Sequence, residues 1–117
     1  MEYILLIYGS EADSKKRSEA EMGQMFQEYV AFTQDISKAG KNKGGQPLEP
    51  SVTATTVRVR NGKTVVMDGP FAETKEQLGG YYLVEAKDLD EAISIAARIP
   101  GAKVGSIEVR PIRKMNM

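Results

Sequence analysis

Apolar residues follow two different periods along this chain. Tyr3-Ile4-Leu5-Leu6-Ile7-Tyr8 is a continuous apolar run closed by Gly9. Its length and its terminal glycine predict a strand buried on both faces. Ser10 to Arg17 is polar and reads as a loop. From Ser18 onward the spacing changes to three and four: Met22, Met25, Phe26, Tyr29, Phe32 and Ile36 share one stripe of a helix running to about Ala39. Ser18 stands three residues before Glu21, the pattern of a capping box. Gly40 ends the helix, with Lys38 in the last turn facing the negative end of its dipole. The Met and aromatic stripe is expected to enter the core.

The period then shortens to two. Thr53 to Arg60 and Lys63 to Asp68 are rich in β-branched residues and flank Asn61-Gly62, which predicts a hairpin. Thr53, Thr55, Val57 and Val59 fall on one face; Ala54, Thr56, Arg58 and Arg60 fall on the other. Between helix and hairpin, Gly44-Gly45-Gln46-Pro47-Leu48-Glu49-Pro50 contains two prolines, so an extended connector is expected there. A second connector runs from Asp68 to Gly80. Pro70 suits a first helical position and Glu73 the first turn, predicting a single helical turn. Tyr81 to Ala86 reads as a strand. Asp88, with Glu91 three residues on, opens a second helix whose stripe is Leu89, Ala92, Ile93, Ala96 and Ile99. Pro100-Gly101 ends that helix, and Gly105 to Pro111 is the last strand.

This order is the split-βαβ, ferredoxin-like pattern of an α+β protein, with one extra strand and two helices on one face of the sheet. The expected domain spans 1–112, with a frayed tail at 113–117. Tyr3, Leu5 and Ile7 point one way from the first strand, and Ile4, Leu6 and Tyr8 the other; Tyr81 to Val84 behaves alike. Two helices cover only one of these oily faces. A homodimer that buries the second face is therefore expected, because a lone subunit would carry a larger apolar patch than soluble monomers normally do.

Composition narrows the function classes. The 117 residues carry 16 basic and 16 acidic side chains, a formal net charge of zero. No global field gathers nucleic acid or anionic lipid. With neither cysteine nor histidine, thiolate chemistry and the commonest general base are excluded. No metal and no cofactor are expected: the chain has no P-loop, dinucleotide fingerprint or metal-ligand cluster. The apolar N-terminal run lacks a basic leader and is too short to span a bilayer, so a cytoplasmic location is expected.

Several residues could carry chemistry. Asp68 enters a glycine-proline turn, where it serves as acid/base or ligand anchor, or bonds the amides of its own turn. Glu73 and Glu76 are spaced to share one face of a helical turn, with Lys75 between them. Tyr8, Tyr81 and Tyr82 sit on central strands, where they pack or line a pocket for an apolar or aromatic molecule. Phe71 is placed to wall or cover such a cleft. Arg58 either belongs to a solvated hairpin face or meets a ligand carboxylate.

The run Asp68-Gly69-Pro70-Phe71-Ala72-Glu73-Thr74-Lys75-Glu76-Gln77-Leu78-Gly79-Gly80-Tyr81-Tyr82 resembles the signature of YCII-related proteins of the DGPF-containing branch. The first strand, Gly44 to Leu48, Thr53 to Arg58 and Ser106 to Pro111 resemble that family as well. The resemblance implies a ferredoxin-like fold assembled as a dimeric α/β barrel, bacterial origin, and a link to alternative sigma factors. Short relatives pair a histidine with an aspartate. Asp68 matches that aspartate, but this chain has no histidine, so their acid–base pair does not transfer. The expected function is a homodimeric small-ligand-binding or regulatory domain with a cleft near the Asp68–Phe71 motif, its ligand contacts drawn from Tyr8, Phe71, Glu73, Tyr82 and Arg58. The alternatives are a cofactor-independent enzyme using Asp68, of isomerase, lyase or oxygenase type, and a protein–protein module acting on transcription machinery.

Overall fold

The computed structural model describes residues 1–115. Six strands and three helices follow in the order β1 (Glu2–Gly9), α1 (Glu11–Ser14), α2 (Glu19–Lys38), β2 (Asn42–Pro47), β3 (Thr55–Arg60), β4 (Lys63–Asp68), β5 (Gln77–Glu85), α3 (Leu89–Ala97) and β6 (Ser106–Pro111). Short 3-10 turns cover Ser51–Thr53 and Pro100–Lys103. None of the described helices is long and apolar enough to cross a membrane. Residues 113–115 of the expected tail carry no regular structure; residues 116–117 lie outside the described residues.

The main sheet is antiparallel, in the order β2-β5-β1-β6. This is the strand arrangement of a ferredoxin-like βαββαβ unit, with β3 and β4 inserted between its second and third strands. The hairpin forms a separate two-stranded sheet, so the expectation that it joins the main sheet is corrected. The missing strand comes from the segment expected to be a connector. β2 pairs with β5 from Asn42↔Val84 to Pro47↔Gly80. Proline is tolerated there because Pro47 ends an edge strand, where no second neighbour asks for its amide. Gly45 has φ 155°, and a Cβ on it would stand 2.5 Å from the Tyr81 carbonyl oxygen. Only glycine lets this edge approach β5 so closely.

The helix caps agree with the sequence. Ser18 and Glu21 complete the capping box of α2, and Asp88 accepts from the Glu91 amide at the start of α3. Asn61 and Gly62 turn the hairpin at φ 53° and 75°. Two smaller expectations fail. Ser10 caps a helical turn, α1, inside the segment read as loop. No helical turn forms at Pro70; the segment bends, with the Thr74 hydroxyl bonded to the Glu76 carbonyl. Without a helical turn, Glu73 and Glu76 share no helical face.

The core lies on one side of the main sheet. Tyr3, Leu5, Val84 and Ala86 meet Phe32 and Ile36 of α2, Ala92, Ile95 and Ala96 of α3, and Ile99. Leu5, Ile36 and Val84 are completely buried, so truncating Leu5 or Ile36 to alanine should cost about 2–5 kcal/mol. Ile4, Leu6, Tyr81 and Leu83 alternate to the opposite face and are only partly buried. The molecule is a slab, 48 × 46 × 18 Å, with a radius of gyration of 16.3 Å. A compact chain of this length would reach only about 13 Å. The hairpin accounts for part of the difference: Val57, Val59 and Val66 share its Thr55 face and are about 60% exposed.

Candidate functional site

The apolar stripe of α2 divides in two. Phe32 and Ile36 enter the core, whereas Met22 and Phe26 are 48% and 65% exposed. The expectation that the whole stripe is core is therefore corrected. The reason lies in the strands beneath it. Gly44, Gly45, Gly79 and Gly80 occupy β2 and β5 under the first half of the helix and offer no side chains to fill the gap. What remains is a cavity of about 610 Å³, within the range of small-molecule sites.

Met25, Phe26, Tyr29 and Thr33 form its helical wall, and Ile7, Tyr8, Tyr81 and Tyr82 line it from β1 and β5. Gly101 and Val104 line it as well, as do the polar residues Ser10, Glu11, Ser14 and Arg17. The Tyr82 and Thr33 hydroxyls share a hydrogen bond of 2.7 Å. Phe32 meets the Tyr82 ring edge-on at 5.1 Å between centroids, and the Arg98 guanidinium lies 5.7 Å from the centre of Phe32. Burial pushes the Tyr29 phenol above its ordinary pKa, opposed by a hydrogen bond from the Gly101 amide. Tyr29 therefore stays neutral and keeps its proton to donate.

Glu11 is fixed from outside the cavity. The Ser51 hydroxyl donates to one of its carboxylate oxygens at 2.6 Å, and the Ser51 amide to the other at 2.7 Å. These bonds, the hydroxyl's first, hold the carboxyl below its ordinary pKa. The Glu11 amide in turn donates to Gln77 Oε1 at 2.9 Å, and Gln77 Nε2 donates to the Thr74 carbonyl.

A second, open depression of about 480 Å³ lies beside the first, lined by Ser51, Val52, Thr74, Gln77 and the Asp68–Pro70 turn, with Ala72 and Glu73. Asp68 and Glu73 meet here, both exposed. The turn is held by its backbone: the Gly69 amide donates to the Ala54 carbonyl, and the Thr56 hydroxyl to the Gly69 carbonyl. The Asp68 carboxylate makes no hydrogen bond among the described residues. Among those residues no three acidic side chains gather as a metal site.

The sequence-derived site residues thus divide. Tyr8 and Tyr82 line the larger cavity; Asp68 and Glu73 line the open depression. Phe71, 76% exposed, and Arg58, whose Nη1 lies 4.0 Å from Met67 Sδ on the hairpin, line neither. Gln77 belongs to both spaces, and Ser51 ties them through Glu11. Sequence reasoning missed Glu11, Arg17, Tyr29, Thr33, Ser51 and Gln77. Only Tyr29 carried a signal, through the α2 stripe, which continues past the residues that the sheet can cover.

A four-stranded antiparallel sheet, helices on one face and an apolar side cavity define a ferredoxin-like α+β domain. The chain belongs to the YCII-related family, whose domain model matches residues 1–116. It is 40% identical over 114 residues to an uncharacterised protein of Rhizobium meliloti (strain 1021), covering 96% of this chain and 92% of the relative. Its fold is similar to that of 5-chloro-2-hydroxyhydroquinone dehydrochlorinase from Burkholderia phenoliruptrix AC1100, solved in complex with 2,5-dihydroxybenzoquinone. That likeness has a TM-score of 0.56 at 16% identity, over 97% of this chain and 94% of the other.

Proposed function

We propose that the protein is a homodimeric, cytoplasmic small-ligand-binding or regulatory domain, its small apolar or aromatic ligand seated in the cavity under α2. The observation that carries this reading is the cavity itself: about 610 Å³, walled by Met25, Phe26, Tyr29 and Tyr82, with a few hydroxyls and one carboxylate at fixed positions. The dimer is supported by two oily surfaces left uncovered in one protomer, the Ile4–Leu83 face of the sheet and the Val57–Val66 face of the hairpin. An isolated two-stranded hairpin is marginal in water. Covering three valines would stabilise each arm by about 1 kcal/mol per residue. The dimeric barrel is the assembly in which these surfaces are buried.

Titration of the intact protein with a panel of single-ring aromatics, followed by NMR shifts, tests the ligand reading. Binding that Met25→Trp abolishes by filling the cavity supports it. Binding that persists with the cavity filled counts against it.

The second reading is a cofactor-independent enzyme. The likeness to a dehydrochlorinase favours it, on the strength of fold alone. Asp68 would be its acid/base, with Glu73 beside it in the open depression. Asp68→Asn should then abolish turnover of a quinol or related substrate while the fold survives. Co-purification with an alternative sigma factor would instead support a protein–protein role.

A further inference from the structure

We propose that Arg17 reads charge in the cavity, and that the ligand is a small aromatic carrying one negative charge, as a carboxylate or an acidic phenolate. This rests on the ligand-binding reading above and narrows it.

Arg17 lies between α1 and the Ser18 cap of α2, and its side chain reaches the cavity half-buried. Guanidinium presents five donors in a rigid fork. The contact it makes is weak: Nη1 lies 3.9 Å from Met25 Sδ. Among the described residues Arg17 has no ion-pair partner; the four ion pairs found use other cations. Glu21, whose carboxyl feels the Arg17 charge, and Glu11, which lines the same cavity, are both committed elsewhere. Glu21 accepts from the Ser18 amide at 3.1 Å, and both oxygens of Glu11 accept from Ser51. Those bonds keep both carboxylates ionised but turned to other donors. A half-buried arginine beside an apolar wall, with no ion-pair partner and with Glu11 and Glu21 bonded to other donors, is electrostatically incomplete.

The lining sets the rest of the ligand. Arg17 is the cation that lines the cavity, and Glu11 the acid. One positive group suits one negative charge; a phosphate dianion or a nucleotide would meet too little counter-charge and a neighbouring carboxylate. Met25, Phe26 and Tyr82 offer flat or polarisable contacts to a ring. Tyr29, neutral in its buried setting, supplies a hydroxyl donor for a second polar substituent.

The test compares benzoate and 4-hydroxybenzoate, both monoanions at neutral pH, with neutral methyl benzoate and benzyl alcohol, titrated calorimetrically into the intact protein at low salt. The anions should bind at least about tenfold more tightly, the value of one charge-assisted hydrogen bond. Arg17→Gln should erase that ratio, whereas Arg17→Lys should keep part of it. Equal affinity for anion and ester in the unaltered protein, or a ratio that survives Arg17→Gln, would overturn the inference while sparing the ligand reading. If no panel member binds, both fall.

Discussion

The Ser51 hydroxyl donates to the Glu11 carboxylate at 2.6 Å across forty residues of chain. With the Ser51 amide on the other oxygen, it fastens the turn after β1 to the segment that leads into the hairpin. A carboxylate held in this way is an acid-sensitive clasp. Because the folded pKa is depressed, its stabilisation is complete above the ordinary carboxylate value of about 4.3. It is lost as pH falls through the lower folded value. Glu11→Gln should therefore destabilise the protein by about 1 kcal/mol at pH 7, allowing for partial exposure. Urea unfolding at pH 7 and again below pH 3 checks this: the gap between variant and parent should close in acid.

Gly101 should tolerate no side chain. A Cβ there would stand 2.7 Å from the Tyr29 hydroxyl and 3.2 Å from Ile7 Cγ2. Gly101→Ala must displace the Tyr29 hydroxyl, at a cost of about 1–3 kcal/mol. Chemical denaturation measures the loss, and ligand titration should show weaker binding of any ring that occupies the cavity.

The raised pKa of Tyr29 has its own signature. A group protonated more firmly in the folded state adds stability below the unfolded tyrosine value of about 10. That contribution disappears as pH rises through the higher folded value. Tyr29→Phe should remove a late-ionising step from the ultraviolet titration.

Thr33 and Tyr82 are expected to act as a pair. Tyr82→Phe and Thr33→Val each remove one side of a partly buried bond, so each should cost about 1 kcal/mol. The double variant should cost less than the sum of the two, a coupling of about 0.5–1 kcal/mol. Thermal unfolding of the four proteins completes the cycle.

The hairpin supplies the check on assembly. Val57→Asp with Val66→Asp places two charges opposite each other on its oily face. If the proposed dimer buries this face, sedimentation should show the variant as single subunits with unchanged helical content. A variant that stays as associated as the parent would mean that this face is not buried between copies.

Much of the fold was legible because its signals are local. The capping box at Ser18, the cap at Asp88 and the Asn61-Gly62 turn each fix geometry within four residues. The errors arose where distant segments decide. Gly44 and Gly45 look like a flexible connector until β5 is alongside; then their lack of side chains is what allows pairing. The α2 stripe was visible in full, yet no periodicity reveals that Gly79 and Gly80 leave its first half without a floor. Tyr8 and Tyr82 could be picked out as aromatics on central strands. Glu11, Arg17 and Ser51 could not, because each sits in a polar stretch and gains meaning only from the residue it meets.

Gln77 opens β5, and its two ends grip different territories: Oε1 the amide of Glu11, Nε2 the carbonyl of Thr74. One planar amide cannot turn to suit one side without releasing the other. Any shift at the Glu11 end must therefore pull on Thr74 and the stretch that lines the open depression.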